Sequence, residues 1–418
     1  MSQIASRLYL QKEPVHEFLA KAMECHQNGA LNKAEKYYKR VLKIDPNHVD
    51  ALHLSGIIAH QLGRTLRAIK LIRTAIAYDK NQAVFHNNLA IIYNKNGHWA
   101  ESEASTRRSL EICSNDGEAW GILGEALAGL GRISDAVKAY KKSITLKPGN
   151  AIVYCNLASL LTALGKFKEA EQMCICALEL QPNLAKALHG LGVAQSASGR
   201  LEEAIESFKK ALKLDPQNSQ TMTNLASIYS AKLKYKEAIL LFQKSIQFNP
   251  NSTESFFNLG VCYSELGEMD QALRCFERTL EIDPDNVDAY YAIATSGKKF
   301  LSPEQLQILE QLLNSPTISS DKIVKINFAL AWQADKRKLP MPAITFCAAG
   351  NNLRKKLLAT KGYTFDPIAH QELVKRVKNV YTEVFFKDRI NFGIGTEQPI
   401  FVVGMPRSGT TLVEKIAA

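Results

Sequence analysis

Apolar residues recur along this chain at helical spacing, in pairs of segments that repeat every 34 residues. The pattern is clearest in residues 201–216, where Leu201, Ala204 and Phe208 form one apolar stripe and Pro216 ends the helix. One pair of such helices cannot bury its apolar stripe alone. The pattern therefore predicts a stack of helix pairs with a long concave face.

Small residues keep the same register from repeat to repeat. Positions are numbered 1–34 from the start of each repeat. A small residue at position 8 and an alanine at position 20 let the two helices of a repeat approach closely. A bulky residue at position 24, such as Tyr140, fills the space between them. Lys80, Ser102, Ser114 and Leu233 depart from this pattern, and we expect them to weaken single turns without breaking the register. The eight predicted repeats begin near Val15, Val49, Ala83, Gly117, Ala151, Ala185, Ser219 and Thr253.

A 34-residue period of helix, turn, helix, turn resembles the tetratricopeptide repeat family, over about two thirds of the chain. We therefore predict a mainly α fold, a tetratricopeptide superhelix. The predicted organisation is a lead-in (1–14), the repeat array (15–300), a degenerate helical cap or linker (301–397) and the start of an α/β domain (398–418).

The formal net charge of +11 is dispersed, although residues 301–418 hold 16 Lys and Arg against 10 Asp and Glu. This basic end suits an anionic ligand, and a solvated surface is equally consistent with it. No run of Lys and Arg with interleaved aromatic residues occurs, so we predict no nucleic-acid partner.

The eight cysteines occur without any Cys-x-x-Cys motif, at positions typical of small packing residues. We predict no metal site and a reducing compartment. No apolar run approaches 18 residues, so the sequence predicts a soluble, cytoplasmic chain without a membrane partner.

The pattern changes in residues 398–418, where an apolar run precedes a glycine-rich loop and a helical start. Ile400–Val403 suits a buried strand, and the loop amides with the helix N-terminus predict an anion site. The spacing of Gly404 and Gly409 approaches the nucleotide P-loop, but Thr410 replaces its lysine and Arg407 supplies a cation within the loop. This argues against hydrolysis of ATP or GTP.

Residues 406–412, Pro-Arg-Ser-Gly-Thr-Thr-Leu, resemble the phosphosulfate-binding loop of sulfotransferases. The order of repeat array, helical linker and loop is similar to bacterial sulfotransferases with tetratricopeptide arrays, which are related to tyrosylprotein sulfotransferases. The resemblance implies the co-substrate 3′-phosphoadenosine 5′-phosphosulfate, no metal, and transfer of its sulfuryl group to a hydroxyl, such as that of protein tyrosine. It implies that Arg407 neutralises charge on the leaving phosphate. The implied cofactor-binding residues are Arg407, Ser408, Gly409, Thr410 and Thr411.

The family needs roughly another domain beyond residue 418, so we expect the chain as written to be catalytically incomplete. The alternative is an interaction scaffold without enzymatic activity. If the chain is instead part of a sulfotransferase, the array recruits a protein or peptide acceptor in its concave groove.

Asparagine recurs at position 6, in the first helix of the repeat (helix A), on the side that faces the predicted groove. The residues are Asn88, Asn156, Asn224 and Asn258. A side-chain amide offers both a donor and an acceptor, so such a ladder can pair with the main chain of an extended peptide. The alternative is that these asparagines only cap or solvate the helix face. His53 and His189 share position 5, and we expect them to line the groove rather than to bind metal.

Overall fold

The computed structural model describes residues 2–363, 366–380, 382 and 384, and this part contains twenty-one helices and no strand. The chain divides into two compact units, Met1–Ser302 and Pro303–Ala418. In the first unit the odd-numbered helices are the first of each repeat (helices A) and the even-numbered ones the second (helices B). The A helices are α1 (Ser2–Gln27), α3 (Val49–Gln61), α5 (Ala83–Lys95), α7 (Gly117–Gly129), α9 (Ala151–Ala163), α11 (Ala185–Ala197), α13 (Ser219–Ala231), α15 (Thr253–Glu265) and α17 (Val287–Thr295). The B helices are α2 (Leu31–Ile44), α4 (Thr65–Tyr78), α6 (Trp99–Ile112), α8 (Ile133–Leu146), α10 (Phe167–Leu180), α12 (Leu201–Leu214), α14 (Tyr235–Phe248) and α16 (Met269–Ile282).

Polar side chains mark the start of several A helices. Asp116 accepts hydrogen bonds from the backbone N–H groups of Glu118 and Ala119, which have no partner inside the helix. The helix α1 differs, because it begins at Ser2 and runs through the predicted lead-in into repeat one. The equivalent caps of α9, α13, α15 and α17 are Asn150, Asn218, Ser252 and Asn286.

The turn from helix A to helix B requires one residue with a left-handed backbone. Gly63 takes a φ of 75°, and the next residue, Arg64, donates its N–H to the carbonyl of Ala59 at 2.8 Å. Leu233 occupies this position in repeat seven with a φ of 60°, at a cost of roughly 1–2 kcal/mol. The equivalent hydrogen bond from Lys234 persists at 2.9 Å, so the turn is strained and the register is kept.

In the repeats with glycine at position 8, that glycine packs directly against the side chain at position 24. A Cβ atom built on Gly192 would lie 2.7 Å from Cε1 of Phe208, and one built on Gly124 would lie 2.7 Å from Cδ1 of Tyr140. Both rings are buried. The predicted close approach of the two helices is therefore present, and in these repeats the aromatic ring fills the space that a side chain at position 8 would need.

The second unit contains α18 (Pro303–Leu313), α19 (Ser320–Lys336), α20 (Pro340–Thr360) and α21 (Pro367–Val380). The helices α19 and α20 pack against each other along much of their length. Pro303 is the first residue of α18, a position that suits proline because an N–H there would have no partner within the helix.

Candidate functional site

Helices A of neighbouring repeats contact one another along the first unit, as α5 contacts α7 and α9 contacts α11. Within the described residues, no two helices B approach each other to the same extent. The A helices therefore lie on the inside of a curved array. We call the surface formed by positions 2, 6, 9 and 13 of helices A the inner face.

The position-6 asparagines are half-buried on the inner face, and two of them are engaged within the protein. Nδ2 of Asn88 donates to Nε2 of His53 at 2.9 Å. Oδ1 of Asn156 accepts from Nζ of Lys186 at 2.7 Å. These two asparagines join neighbouring helices, which is a structural role.

The other two asparagines keep most of their hydrogen-bonding capacity. Asn224 receives only a long contact of 3.4 Å from Nε2 of Gln220. In the part of the chain that the structure describes, the Asn258 side chain has no hydrogen bond. The predicted ladder is thus divided, with engaged amides in repeats three and five and available amides in repeats seven and eight.

A cavity of about 340 Å³ opens beside Asn224, between α11, α12 and α13, and we call it the Asn224 pocket. Its walls include Leu201, Phe208 and Ile228, and its polar lining includes Ser227 and Glu254. This volume lies within the range of pockets that hold ligands, about 300–1,000 Å³. An apolar wall with a few polar groups can hold and orient an amphipathic side chain.

Two polar groups of the Asn224 pocket are not satisfied by the protein. The Ser227 hydroxyl oxygen is buried and has no hydrogen-bond partner among the described residues. The Glu254 carboxylate is exposed at the N-terminal end of α15 and receives a contact of 3.4 Å from Nε2 of Gln220. In the described chain, no Lys, Arg or His lies within ion-pair distance of it. The pocket thus has hydrogen-bonding capacity to offer to a ligand.

The sequence did not indicate Ser227 or Glu254. They lie at positions 9 and 2, where the residue type changes from one repeat to the next, so the 34-residue period carries no signal there. Only the stacking of three consecutive repeats brings them to one cavity.

The prediction that His53 lines the groove is wrong, because position 5 faces the neighbouring helix A. His53 is 6% exposed, and its ring centroid lies 4.3 Å from that of Phe85. His189 is half-buried and bonds through Nδ1 to the Thr221 hydroxyl at 2.8 Å. Burial lowers the pKa of His53 to about 4 and also lowers that of His189. Neither residue belongs to a group of three potential metal ligands within the described part.

The predicted sulfotransferase loop, with Arg407, Ser408, Gly409, Thr410 and Thr411, lies outside the described residues. So do the strand and helix start predicted within 398–418. Among the helices that the structure describes, none combines the length and apolar character needed to cross a membrane.

Family models of the tetratricopeptide repeat match this chain over residues 18–48, 117–150, 150–217, 207–239 and 253–286. An uncharacterized protein of Aquifex aeolicus (strain VF5) is 35% identical over 113 residues, which cover 27% of this chain and 14% of that protein. Human tetratricopeptide repeat protein 7B is 29% identical over 84 residues, 20% of this chain and 10% of that protein. This chain thus spans a small part of the length of these relatives.

The crystal structure of the Cut9–Hcn1 hetero-tetramer of the APC/C has a similar fold, with a TM-score of 0.54 and 20% identity. The alignment covers 67% of this chain and 55% of that chain. One conclusion follows from the family-model matches, the 34-residue period and the paired helices. This chain carries an array of tetratricopeptide repeats.

Proposed function

We propose that this chain is an interaction scaffold that binds an extended peptide segment of a partner protein along the inner face. Tetratricopeptide-repeat proteins bind peptides or proteins, and a curved array offers a long surface for an extended ligand. The observation that carries the proposal is the available amide of Asn224 beside an open pocket.

The chemistry of Asn224 suits a peptide main chain, which presents both N–H and C=O groups. The asparagine amide can donate to the carbonyl and accept from the N–H of one residue of the ligand. Asn258 lies at the same position one repeat further on, so the two amides can hold successive parts of an extended chain. Asn88 and Asn156 contribute less in this proposal, since His53 and Lys186 already occupy them.

We expect Asn224→Ala to weaken peptide binding about tenfold without lowering the melting temperature. Random dodecapeptides displayed on phage would be panned against the 418-residue chain, and the most enriched sequence synthesised and titrated by fluorescence anisotropy. Asn156→Ala should instead weaken peptide binding by less, because Lys186 already occupies the Asn156 carbonyl oxygen.

Asn251→Ala, in an exposed turn, is the matched control and should change neither property. The proposal fails if no peptide is enriched. It also fails if Asn224→Ala binds the enriched peptide as tightly as the parent does.

As a second function we propose sulfuryl transfer from 3′-phosphoadenosine 5′-phosphosulfate, with the array recruiting the acceptor. The support is the sequence of residues 406–412 and the spacing of Gly404 and Gly409. The loop amides and helix N-terminus predicted there would favour a phosphate, and Arg407 would stabilise charge as it develops on the leaving phosphate.

The test of this second function is binding of adenosine 3′,5′-bisphosphate, the product of the donor, measured by calorimetry. We expect weak but saturable binding, reduced about tenfold or more by Arg407→Ala. Arg354→Ala on α20, an exposed residue, is the control. Equal binding by the Arg407 variant and the parent would exclude the proposed role of the loop.

A further inference from the structure

We propose that the Asn224 pocket takes the lysine or arginine side chain of a bound peptide. This inference rests on the proposed scaffold function and adds the ligand's chemistry. It depends on three features of the pocket: its apolar walls, its unsatisfied acceptors and its unpaired carboxylate.

The walls account for the stem of such a side chain. Leu201, Phe208 and Ile228 offer apolar surface between the helices of repeats six and seven. Lysine and arginine carry aliphatic stems that bury well against apolar surface while the charged head reaches a polar site. A short polar side chain would leave this surface uncovered.

The polar lining accounts for the charged head. The Glu254 carboxylate only accepts hydrogen bonds, the Asn224 carbonyl oxygen has a single long contact, and the Ser227 hydroxyl has no described partner. An ammonium or guanidinium group only donates, so it complements this set. A carboxylate or phosphate would face Glu254 with like charge.

The inner face carries charges of opposite sign at different places along the array. Two repeats earlier, Lys186 occupies the same position 2, and it is held by Asn156 at 2.7 Å. The inner face therefore presents a cation in repeat six and an unpaired anion in repeat eight. A bound peptide with one basic residue would therefore place that residue beside Glu254.

The experiment compares the peptide enriched in the phage panning with a version in which its basic residue is replaced by methionine, which keeps an unbranched apolar stem. We expect the enriched peptides to share one Lys or Arg, and the methionine version to bind the full chain about tenfold more weakly. With Glu254→Gln the two peptides should bind alike. Glu237→Gln, an exposed residue of α14, is the matched charge control and should keep the tenfold preference.

A second pair of variants tests the location. Ala197→Leu places a larger side chain at the pocket lining and should abolish the preference, whereas Ala163→Leu, at the same position of repeat five, should not. Enriched peptides that need Asn224 but show no basic residue would overturn this inference and leave the scaffold function standing. A preference that survives Glu254→Gln would also overturn it, and a panning without enrichment would overturn both proposals.

Discussion

Replacing Gly192 by valine is expected to lower the free energy of unfolding by about 3 kcal/mol. Gly192 lies in α11, where even a Cβ atom would be 2.7 Å from Cε1 and 2.8 Å from Cδ1 of Phe208. The Phe208 ring is 1% exposed, lies in a buried cluster with Leu225 and Ile228, and borders the Asn224 pocket, so a valine side chain would have to displace it toward that pocket. Urea denaturation followed by circular dichroism measures the loss.

Repeat seven has an alanine at position 8 and a phenylalanine at position 24, Ala226 and Phe242, and both are buried. Gly149→Val is the control, because a Cβ atom at Gly149 meets nothing within 4 Å, and it should change stability by less than about 0.5 kcal/mol.

A double-mutant cycle separates this explanation from a general intolerance of valine. Phe208→Ala alone should cost about 3–5 kcal/mol through the cavity it leaves. If the two side chains compete for one space, the double variant should cost at least about 1 kcal/mol less than the sum of the single variants. Strict additivity would contradict the proposed contact.

Acidification from pH 7.5 to pH 4.5 is expected to cost the parent chain about 2–3 kcal/mol more than it costs the His53→Gln variant. Burial lowers the pKa of His53 to about 4 from its ordinary 6.5, with only partial opposition from Asp50. The unfolded chain therefore binds a proton before the folded chain does. The contribution of His53 is fully present above pH 6.5 and falls as the pH drops toward 4.

The geometry around His53 supports this direction. Nε2 accepts a hydrogen bond from the Asn88 amide, so protonation at that nitrogen would place two donors against each other. Glutamine keeps an acceptor for Asn88 but has no charge to gain. Urea midpoints of parent and variant at the two pH values measure the effect, and an equal loss in both would mean that His53 is not the group responsible.

The asparagines show how far the sequence could define the candidate site. Recurrence at position 6 puts all four at the same place in helix A, because helical periodicity decides which side of the helix a residue occupies. It could not separate Asn88 and Asn156 from Asn224, since the partners His53 and Lys186 come from other helices. Ser227 and Glu254 gave no signal, because the residue type at their positions changes along the array.

The sequence by itself determined the 34-residue unit, the two helices of each repeat and the small residues at position 8, because these follow from local periodicity and steric size. It also predicted that Leu233 would strain a turn without ending the register. The tertiary structure decided which polar groups are used within the protein and which remain available. That choice depends on how successive A helices stack. A distance between side chains of different repeats, such as those around the Asn224 pocket, is not a property of any single repeat.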